Sequence, residues 1–329
     1  MDALSDVLRV VRLNGAIYLD GEFAAPWCVL ARAEDELCSQ YLPYRDRVVS
    51  FHLITAGTCW ARLPDDPATT LRIEAGEVIV VPQGEPHILG SATNLKPVSA
   101  AAVLASEIRA VPGQIMTLTH GGTGPVTRMV CGFLGGDNVL GNPLLRALPR
   151  LFKVDMRGTQ AAWLHSSLEF AAREAAQMRA GSTTVLGKLS ELLFVEAIRR
   201  YIDTLPQEQT GWLAGLRDRF VGRALALMHD RPAHPWTIED LARDVGLSRS
   251  ALAQRFATLV GSPPMQYLAR WRLQIAAQAL RSGEKQVAEV AGDVGYESEA
   301  AFNRAFKREF GSPPAAWRRA MADDGRTLA

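Results

Sequence analysis

Three side chains in the last third of the sequence have the chemistry needed to contact nucleic-acid bases or phosphates. Gln254 suits adenine, Arg304 suits guanine, and Lys307 can hold a phosphate group. If apolar Leu252 and Phe256 face the interior of a helix, Gln254 faces outward on the same helix. The alternative is that these are ordinary solvated surface residues. The elements that carry them decide between the two interpretations.

The sequence around Gln254 occurs a second time about fifty residues later. GSPP stands at 261–264 and again at 311–314, and from Ser248 and Ser298 onward the two copies keep a constant offset of 50 residues. Further upstream, LARDVGLS matches VAGDVGYES with one extra residue in the second copy. One supersecondary unit is therefore present twice. A helical repeat that only packs, as in a solenoid, is the alternative.

Each copy is predicted to form a helix, a tight turn and a second helix. In the first copy, Thr237 is an N-cap candidate with Asp240 at capping-box spacing, and Gly246 suits the turn between the helices. Ser248 would then cap the second helix. The second copy has a glycine and a serine at the matching positions. Residues 265–283 are predicted to form a long connecting helix between the copies.

These segments resemble a known family. TIEDLARDVGLSRSALAQRFATLVGSPP and VAEVAGDVGYESEAAFNRAFKREFGSPP closely resemble the AraC/XylS transcriptional regulators, and the resemblance covers residues 216–320. It implies a seven-helix domain in which a connector holds two helix-turn-helix motifs apart. The implied partners are a double-stranded DNA operator and RNA polymerase. Gly292 departs from the family, where a bulkier residue is frequent, and we expect it to weaken its helix.

The resemblance places the DNA contacts on the second helix of each motif. The predicted contact residues are Arg249, Ser250, Ala253, Gln254 and Arg255 in the first motif, and Glu299, Ala300, Asn303, Arg304 and Lys307 in the second. Arg249 and Arg255 are expected to contact phosphates, so their loss would weaken binding to all DNA sequences alike. A protein-interaction adaptor that never meets DNA is a further alternative, which the outward polar residues disfavour.

The front half of the sequence predicts β structure. Residues 47–104 contain short runs rich in Val, Ile and Thr, broken by Gly, Pro and Asp, which indicate a small barrel or sandwich. Within them, GEVIVVPQGEPHILGS at 76–91 resembles the second signature of the cupin barrel, with Ser91 where asparagine is usual. The predicted fold class is an α+β multidomain protein: an N-terminal cupin-like β-barrel with a helical extension, then a C-terminal all-α domain with two helix-turn-helix motifs.

The match to metal-binding cupins is incomplete. Those proteins carry an earlier HxH…E cluster because a metal needs several converging ligands, whereas SFHLITAGTCW offers one histidine and no carboxylate. We therefore expect no metal, no cofactor and no enzymatic activity. The alternative function is a cupin-type metal-dependent enzyme with an accessory DNA-binding domain. The main expectation is a sequence-specific regulator of transcription whose barrel senses a small molecule or an oxidant.

The front half also resembles the sensor halves of AraC-like regulators, some of which respond to reactive chlorine through cysteines. On that resemblance, His52, His87, Cys28 and Cys131 are candidate ligand or sensor residues, together forming a partial zinc site or a redox switch with Cys59. The alternative is structural: His87 as a satisfied residue at the barrel rim, His52 as a strand residue, and the cysteines as small apolar core residues.

Composition and charge narrow the class of protein. The chain has 329 residues, which favours more than one domain, and its four cysteines do not suggest a disulfide framework. The absence of an 18-residue apolar run and the charged N-terminus predict a cytoplasmic protein without a membrane partner. Residues 211–329 carry 17 Lys and Arg against 13 Asp and Glu, a mild excess compatible with nucleic acid.

Three regions are predicted along the chain: a cupin-like sensor domain at 1–158, a helical linker at 159–206, and the double helix-turn-helix domain at 212–322. The linker is expected to form two amphipathic helices and to hold a homodimer together, because its apolar residues exceed what a small barrel needs to cover. The alternative is that these residues only contribute to the core. The apolar stripe of the second linker helix consists of Val185, Leu189, Leu192, Leu193 and Ile198.

Overall fold

A computed structural model describes most of the chain, namely residues 3–11, 14–32, 48–107, 116–135, 143–158, 166–167, 181–206 and 208–326. The chain divides into a barrel unit, residues 13–136 and 148–204, and a helical unit, residues 1–12, 137–147 and 205–329. The predicted boundaries at 158 and 206 stay a prediction. Cys38 and His165 fall outside the described residues, and so does the first predicted linker helix apart from residues 166–167.

The secondary-structure elements are numbered here in chain order. The strands are β1 (Asn14–Ala24), β2 (Cys28–Ala31), β3 (Val48–Ala56), β4 (Thr58–Leu63), β5 (Asp66–Glu74), β6 (Glu77–Val81), β7 (His87–Gly90), β8 (Val98–Ser99), β9 (Met116–Gly121), β10 (Val126–Gly135) and β11 (Phe152–Asp155). The helices are α1 (Ala3–Val11), α2 (Ala100–Glu107), α3 (Pro143–Ala147), α4 (Ser182–Thr204), α5 (Trp212–Arg217), α6 (Arg219–Asp230), α7 (Ile238–Val245), α8 (Arg249–Val260), α9 (Pro264–Ser282), α10 (Val287–Asp293), α11 (Glu299–Phe310) and α12 (Pro314–Arg326).

The barrel unit consists of two sheets around one apolar core. One sheet has the order β11-β6-β3-β10-β1-β9 and the other the order β5-β4-β7-β2-β8. Neighbouring strands are antiparallel except for the pairs β1–β9 and β2–β8, which are parallel. Both sheets contribute buried side chains to the core, among them Leu19, Ile54, Ile73, Ile79, Leu89 and Met129. This is the expected cupin-like architecture, and it includes strands β1 and β2, which the sequence patterns did not reveal.

Helix α4 packs closely against strand β1 because both carry glycine at the contact. A Cβ atom added to Gly187 would lie 2.6 Å from the carbonyl oxygen of Gly15, and one added to Gly15 would lie 2.5 Å from Cβ of Ser190. Ser190 is fully buried and donates its hydroxyl proton to the carbonyl of Leu186. Side chains larger than hydrogen at the two glycines would separate the helix from the sheet.

The predicted apolar stripe of α4 is divided between two faces of the helix. Leu193 and Ile198 are fully buried in the barrel unit, whereas 50% of Leu192 is exposed. Val185 and Leu189 are half-buried. The inward residues therefore belong to the core, and only Val185, Leu189 and Leu192 form an outer ridge.

The helical unit contains the two predicted helix-turn-helix motifs, α7–α8 and α10–α11, joined by α9. In the first motif, the Thr237 hydroxyl accepts from the backbone N–H of Asp240, whose carboxylate reaches back in a capping box. Gly246 ends α7 in the left-handed conformation, at φ 78°. Ser248 then caps α8 by accepting from the N–H of Ala251 at 3.2 Å. The predicted caps and turn are confirmed.

The second motif repeats this pattern with one difference. Gly295 makes the turn at φ 85°, and Ser298 caps α11 by accepting from the N–H of Ala301 at 3.3 Å. Helix α10 ends without a glycine cap, at Val294. Gly292 lies on its exposed face, with no atom within 4 Å of the position that a Cβ would occupy. No packing requirement therefore explains this glycine.

Candidate functional site

Helix α8 presents a polar face to solvent and an apolar face to the core. Leu252 and Phe256 are fully buried, as predicted from the helical period. Ser250 and Gln254 lie on the exposed face, while Ala253 is half-buried beside them. The Gln254 amide is thus available to a partner in solution, which is the geometry that base recognition requires.

Helix α11 has the same arrangement with different side chains. Phe302 and Phe306 are fully buried, with ring centroids 5.5 Å apart. Around them, Glu299, Ala300, Arg304 and Lys307 are exposed, and Asn303 is half-buried. Within the described part of the chain, Arg304 and Lys307 have no carboxylate partner, so both positive charges are free to meet an anionic ligand.

The two arginines predicted to contact phosphates already have partners. Arg249 forms an exposed ion pair with Glu239 at 2.9 Å. Arg255 Nε donates to the Asp218 carboxylate at 2.8 Å, and Asp218 also caps α6 by accepting from the N–H of Val221. Although burial alone would raise it, the pKa of Asp218 is held below its ordinary value by the hydrogen bonds from Arg255 and from the backbone. Arg255 therefore has a structural role that the sequence did not indicate.

In the barrel unit, the structure brings three of the four predicted sensor residues together. His52 and Cys131 are directly opposite each other on β3 and β10, and His52 Nδ1 lies 3.0 Å from Cys131 Sγ. His52 Nε2 lies 2.7 Å from His87 Nε2, and His87 Nδ1 lies 3.0 Å from the carbonyl oxygen of Glu85. All three side chains are buried. We call this series the Cys131–His87 chain.

The hydrogen positions in the Cys131–His87 chain follow from its last acceptor. Burial lowers the pKa of His52 and of His87, so both rings are neutral, and burial raises the pKa of the Cys131 thiol. The Glu85 carbonyl can only accept, so His87 carries its proton on Nδ1 and accepts at Nε2. His52 must then donate from Nε2 and accept at Nδ1, where the thiol of Cys131 donates.

The Cys131–His87 chain borders an apolar cavity of about 40 Å³. His52 and Cys131 are the polar residues of a wall that is otherwise apolar. The remaining lining residues are Leu19, Phe23, Val29, Ala31, Leu89, Ala100, Val103, Leu104, Leu118 and Met129. Helix α2 supplies three of them. A ligand in this cavity would meet apolar surface and one polar end.

The arrangement does not suit a metal ion. Cys131 contacts Nδ1 of the His52 ring, whereas His87 contacts Nε2 of the same ring. Because these two nitrogens lie on opposite sides of the ring, the three residues cannot converge on one ion. No group of three or more His, Cys, Asp or Glu side chains able to hold a metal was found among the residues that the structure describes. A cupin-type metal centre therefore does not fit these side chains.

The structure separates Cys28 from the other three sensor candidates and places His87 in the core. The alternative interpretation of His87 as a rim residue does not hold, because His87 is only 1% exposed. Cys28 is not part of the Cys131–His87 chain: it pairs with Gly90, whereas Ala31, three residues further along β2, pairs with His87. Since side chains alternate along a strand, Cys28 and Ala31 face opposite sides, and Ala31 faces the cavity. Cys59 is buried, and its pKa is raised to about 12 by burial and by Glu77.

The surface end of the Cys131–His87 chain was not predicted from the sequence. Glu85, whose carbonyl accepts from His87, also accepts from Arg150 Nε through its side chain at 2.8 Å. Arg150 in turn donates to Asp65 at 2.9 Å. Glu85 lies within the cupin-like signature, two residues before His87, but nothing in its spacing indicated a partner 65 residues away. An exposed ion triad therefore adjoins the buried chain.

Comparison with known proteins identifies the family. A family model described as Cupin matches residues 2–203, and one described as Helix-turn-helix domain matches residues 241–320. The HTH-type transcriptional regulator AlkR of Acinetobacter baylyi is 30% identical over 97% of this chain and 99% of that protein. A putative AraC-like transcription regulator of Streptomyces lividans is 31% identical over 97% and 98%. The chain belongs to the AraC-like transcriptional regulators.

Another relative of this AraC-like regulator also matches it over nearly the full length of both chains. The RCS-specific HTH-type transcriptional activator RclR of Escherichia coli is 28% identical over 97% of each chain. Among solved structures, the DNA-binding domain of AdpA in complex with a target DNA is 34% identical, covering 31% of this chain and 92% of that one with a TM-score of 0.30. None of the described helices is long and apolar enough to cross a membrane.

Proposed function

We propose that this AraC-like regulator binds a double-stranded DNA operator with α8 and α11 in two successive major-groove segments. The observation that carries the proposal is that two motifs with the same helix–turn–helix layout expose unlike side chains. Gln254, on α8, suits adenine, whereas Arg304, on α11, suits guanine and Lys307 a phosphate. One molecule would therefore read two different sequences, centred about 10 base pairs apart.

Selection of DNA from a random duplex library by the purified full-length protein tests the proposal. The expected result is a recovered site with two unlike blocks, separated by about one helical turn. Failure to enrich any sequence would contradict sequence-specific binding. Recovery of two identical blocks would contradict the assignment of different faces to the two helices.

The barrel unit acts as the sensor, and its signal is a small molecule or an oxidant that reaches the cavity beside His52 and Cys131. A neutral small molecule is favoured, because the thiolate is the reactive form of cysteine and the Cys131 thiol is buried and protonated. A cavity of about 40 Å³ holds little more than a water molecule, so a larger ligand must displace the α2 wall.

Operator binding measured with two kinds of input distinguishes these signals. We expect low-micromolar hypochlorite or peroxide to leave the operator affinity unchanged, and a panel of small neutral organic compounds to contain members that change it. Those responses should be lost in a His52→Phe variant, which fills the cavity wall without the polar end. An oxidant response that survives in Cys28→Ser and disappears in Cys131→Ser would instead establish the redox signal.

The protein carries no enzymatic activity in this proposal. The histidines and Cys131 form a linear chain in place of a converging ligand set, and the relatives it matches over nearly its full length are named as transcriptional regulators. A cupin-type dioxygenase, the alternative, would consume oxygen when supplied with Fe²⁺ and a substrate panel. We expect no consumption above that of free iron.

The regulator functions as a homodimer that contacts RNA polymerase, and the outer ridge of α4 (Val185, Leu189 and Leu192) forms the dimer contact. This ridge retains a Leu192 side chain that is 50% exposed while the opposite face of the helix is buried. Leu192→Glu should give a folded monomer in analytical ultracentrifugation. Leu193→Ala is the contrast, because Leu193 is a core residue whose truncation should lower stability and leave the dimer intact. An unchanged dimer in Leu192→Glu would refute the contact.

A further inference from the structure

Arg272, near the middle of the connector α9, joins the loop that leads into the first helix-turn-helix motif to the turn of the second motif. Its guanidinium donates from Nε to the carbonyl of Pro232 at 2.7 Å and from Nη2 to the carbonyl of His234 at 2.8 Å. It also donates from Nη1 to the carbonyl of Gly295 at 3.3 Å. Pro232 and His234 lie in the loop that leads into the first motif, and Gly295 is the turn of the second. One side chain thus holds both.

The two segments held by Arg272 also touch each other directly. A Cβ atom added to Gly295 would lie 2.6 Å from the carbonyl oxygen of Ala233 and 2.9 Å from its Cα. Gly295 also has a φ of 85°, which favours glycine. The turn of the second motif is therefore pressed against the entry loop of the first, with no side chain between them.

The entry loop is itself braced, so its carbonyls are fixed acceptors. The indole N–H of Trp236 donates to the carbonyl of Arg231 at 3.1 Å, and the Arg231 guanidinium lies 4.7 Å from the centre of the Trp236 ring. Arg272 is partly buried, and its hydrogen bonds are charge-assisted. The planar fork that reaches three carbonyls is a property of arginine, since a lysine ammonium carries its donors at one point.

We infer that Arg272 is a positioning residue that sets the distance between α8 and α11, so that the regulator accepts only one spacing between its two DNA segments. The inference rests on the proposed function. Each added base pair moves the second segment by about 3.4 Å and turns it by about 35° around the DNA axis. Two recognition helices held as one body cannot follow that movement, and one of the two segments would then go unread.

Operators with altered spacing test the inference. We would measure the affinity of full-length wild type, Arg272→Ala and Arg272→Lys for the selected operator with one base pair removed, unchanged, or with one or two added. The affinity of wild type should fall about tenfold or more with each change in spacing, an effect comparable to that of a mismatched base pair in the site. In both Arg272 variants the affinities for the different spacings should differ by about threefold or less, and binding at the original spacing should be weaker than in wild type.

Arg270→Ala is the matched control on the same helix. The Arg270 side chain is 54% exposed, and its ion pair with Glu309 is long, at 3.9 Å, so this variant should keep the wild-type spacing profile. A wild-type profile in Arg272→Ala would overturn the inference. An equal flattening in Arg270→Ala would overturn it as well, because the effect would then belong to any charge removed from α9.

A measurement without DNA separates this inference from the proposed function. Spin labels carried by noncanonical amino acids at positions 257 and 307 report the distance between α8 and α11. We expect a narrow distance distribution in wild type and a broad one in Arg272→Lys, which should fold even if Arg272→Ala does not. If wild type binds no DNA, the proposed function fails, but the distance measurement still tests whether Arg272 positions the two helices. If wild type binds DNA and has the same distance distribution as Arg272→Lys, only the positioning role of Arg272 is refuted.

Discussion

Arg255 on helix α8 is hydrogen-bonded to Asp218, the residue that caps α6, with Nε 2.8 Å from the carboxylate. The Asp218 side chain is only 11% exposed. A residue that the sequence predicts as a phosphate contact is therefore also the link between α8 and the helix before its motif. If Arg255 contacts a phosphate as proposed, DNA binding and the stability of the helical unit would be coupled at this position.

We predict that Asp218→Asn lowers the unfolding free energy of the helical unit by about 1 kcal/mol at pH 7, because it keeps a capping oxygen and loses the charge paired with Arg255. The pKa of Asp218 is lowered in the folded protein, so its contribution is present above pH ~4 and is lost as the pH falls below that value. Urea unfolding at pH 7 and pH 3 checks this. A difference from wild type that does not shrink between pH 7 and pH 3 would contradict the charge-based explanation.

Arg304→Ala is expected to cost about 1–3 kcal/mol of operator binding and to relax base preference in one segment only. The preference in the segment read by Gln254 should remain, because the two side chains lie on separate helices. Arg249→Ala is the control: loss of a phosphate contact should weaken all sequences alike and reduce the salt dependence. Uniform weakening by Arg304→Ala would mean that α11 does not read bases.

Buried histidines predict a loss of stability in mild acid. Burial lowers the pKa of His229 to about 3, compared with about 6.5 in an unfolded chain. The folded state therefore resists protonation, and its stability is complete above pH ~6.5 and falls as the pH drops toward 3, by about 1.4 kcal/mol per pH unit for this group. His229→Gln should reduce that slope by this amount in urea titrations followed by tryptophan fluorescence. Equal slopes would mean that folding does not lower the pKa of His229.

Gly292→Ala is expected to raise the unfolding free energy by about 0.5–1 kcal/mol, because the helical position is exposed and an added methyl group meets nothing. Gly295→Ala, three residues later, should be destabilising, since φ is 85° there and the backbone of Ala233 occupies the space. Thermal unfolding of both variants checks the pair. A destabilised Gly292→Ala would mean that this glycine has a role outside the described contacts.

The sequence predicted the helical unit in detail because its determinants are local. The capping box at Thr237, the turn at Gly246 and the buried positions Leu252 and Phe256 all follow from spacings of a few residues. The bond from Arg255 to Asp218 spans 37 positions and depends on how two helices cross, so no pattern along the chain indicates it.

The barrel was predicted as a class and not in its contacts. His52 meets Cys131 only because β3 and β10 pair in one particular register, 79 positions apart in sequence. A shift of one residue would turn either side chain to the other face of the sheet. The same register argument separates Cys28 from the cavity, and residue types alone could not distinguish it from Cys131.

The hydrogen bonds of the Cys131–His87 chain all run in one direction, from the Cys131 thiol to His52 and from His52 to His87. The cavity therefore distinguishes a ligand that donates a hydrogen bond to Cys131 from one that accepts a hydrogen bond. A molecule that donates to the Cys131 sulfur leaves every proton in place. A molecule that takes the thiol proton as an acceptor leaves His52 Nδ1 without a donor, and reversing the chain to supply one would place the lone pair of His87 Nδ1 against the carbonyl of Glu85. Two acceptors would then face each other in the core, at a cost of about 1–3 kcal/mol. In the proposed sensor, this polarity would favour alcohols and amines over ethers and ketones of equal size.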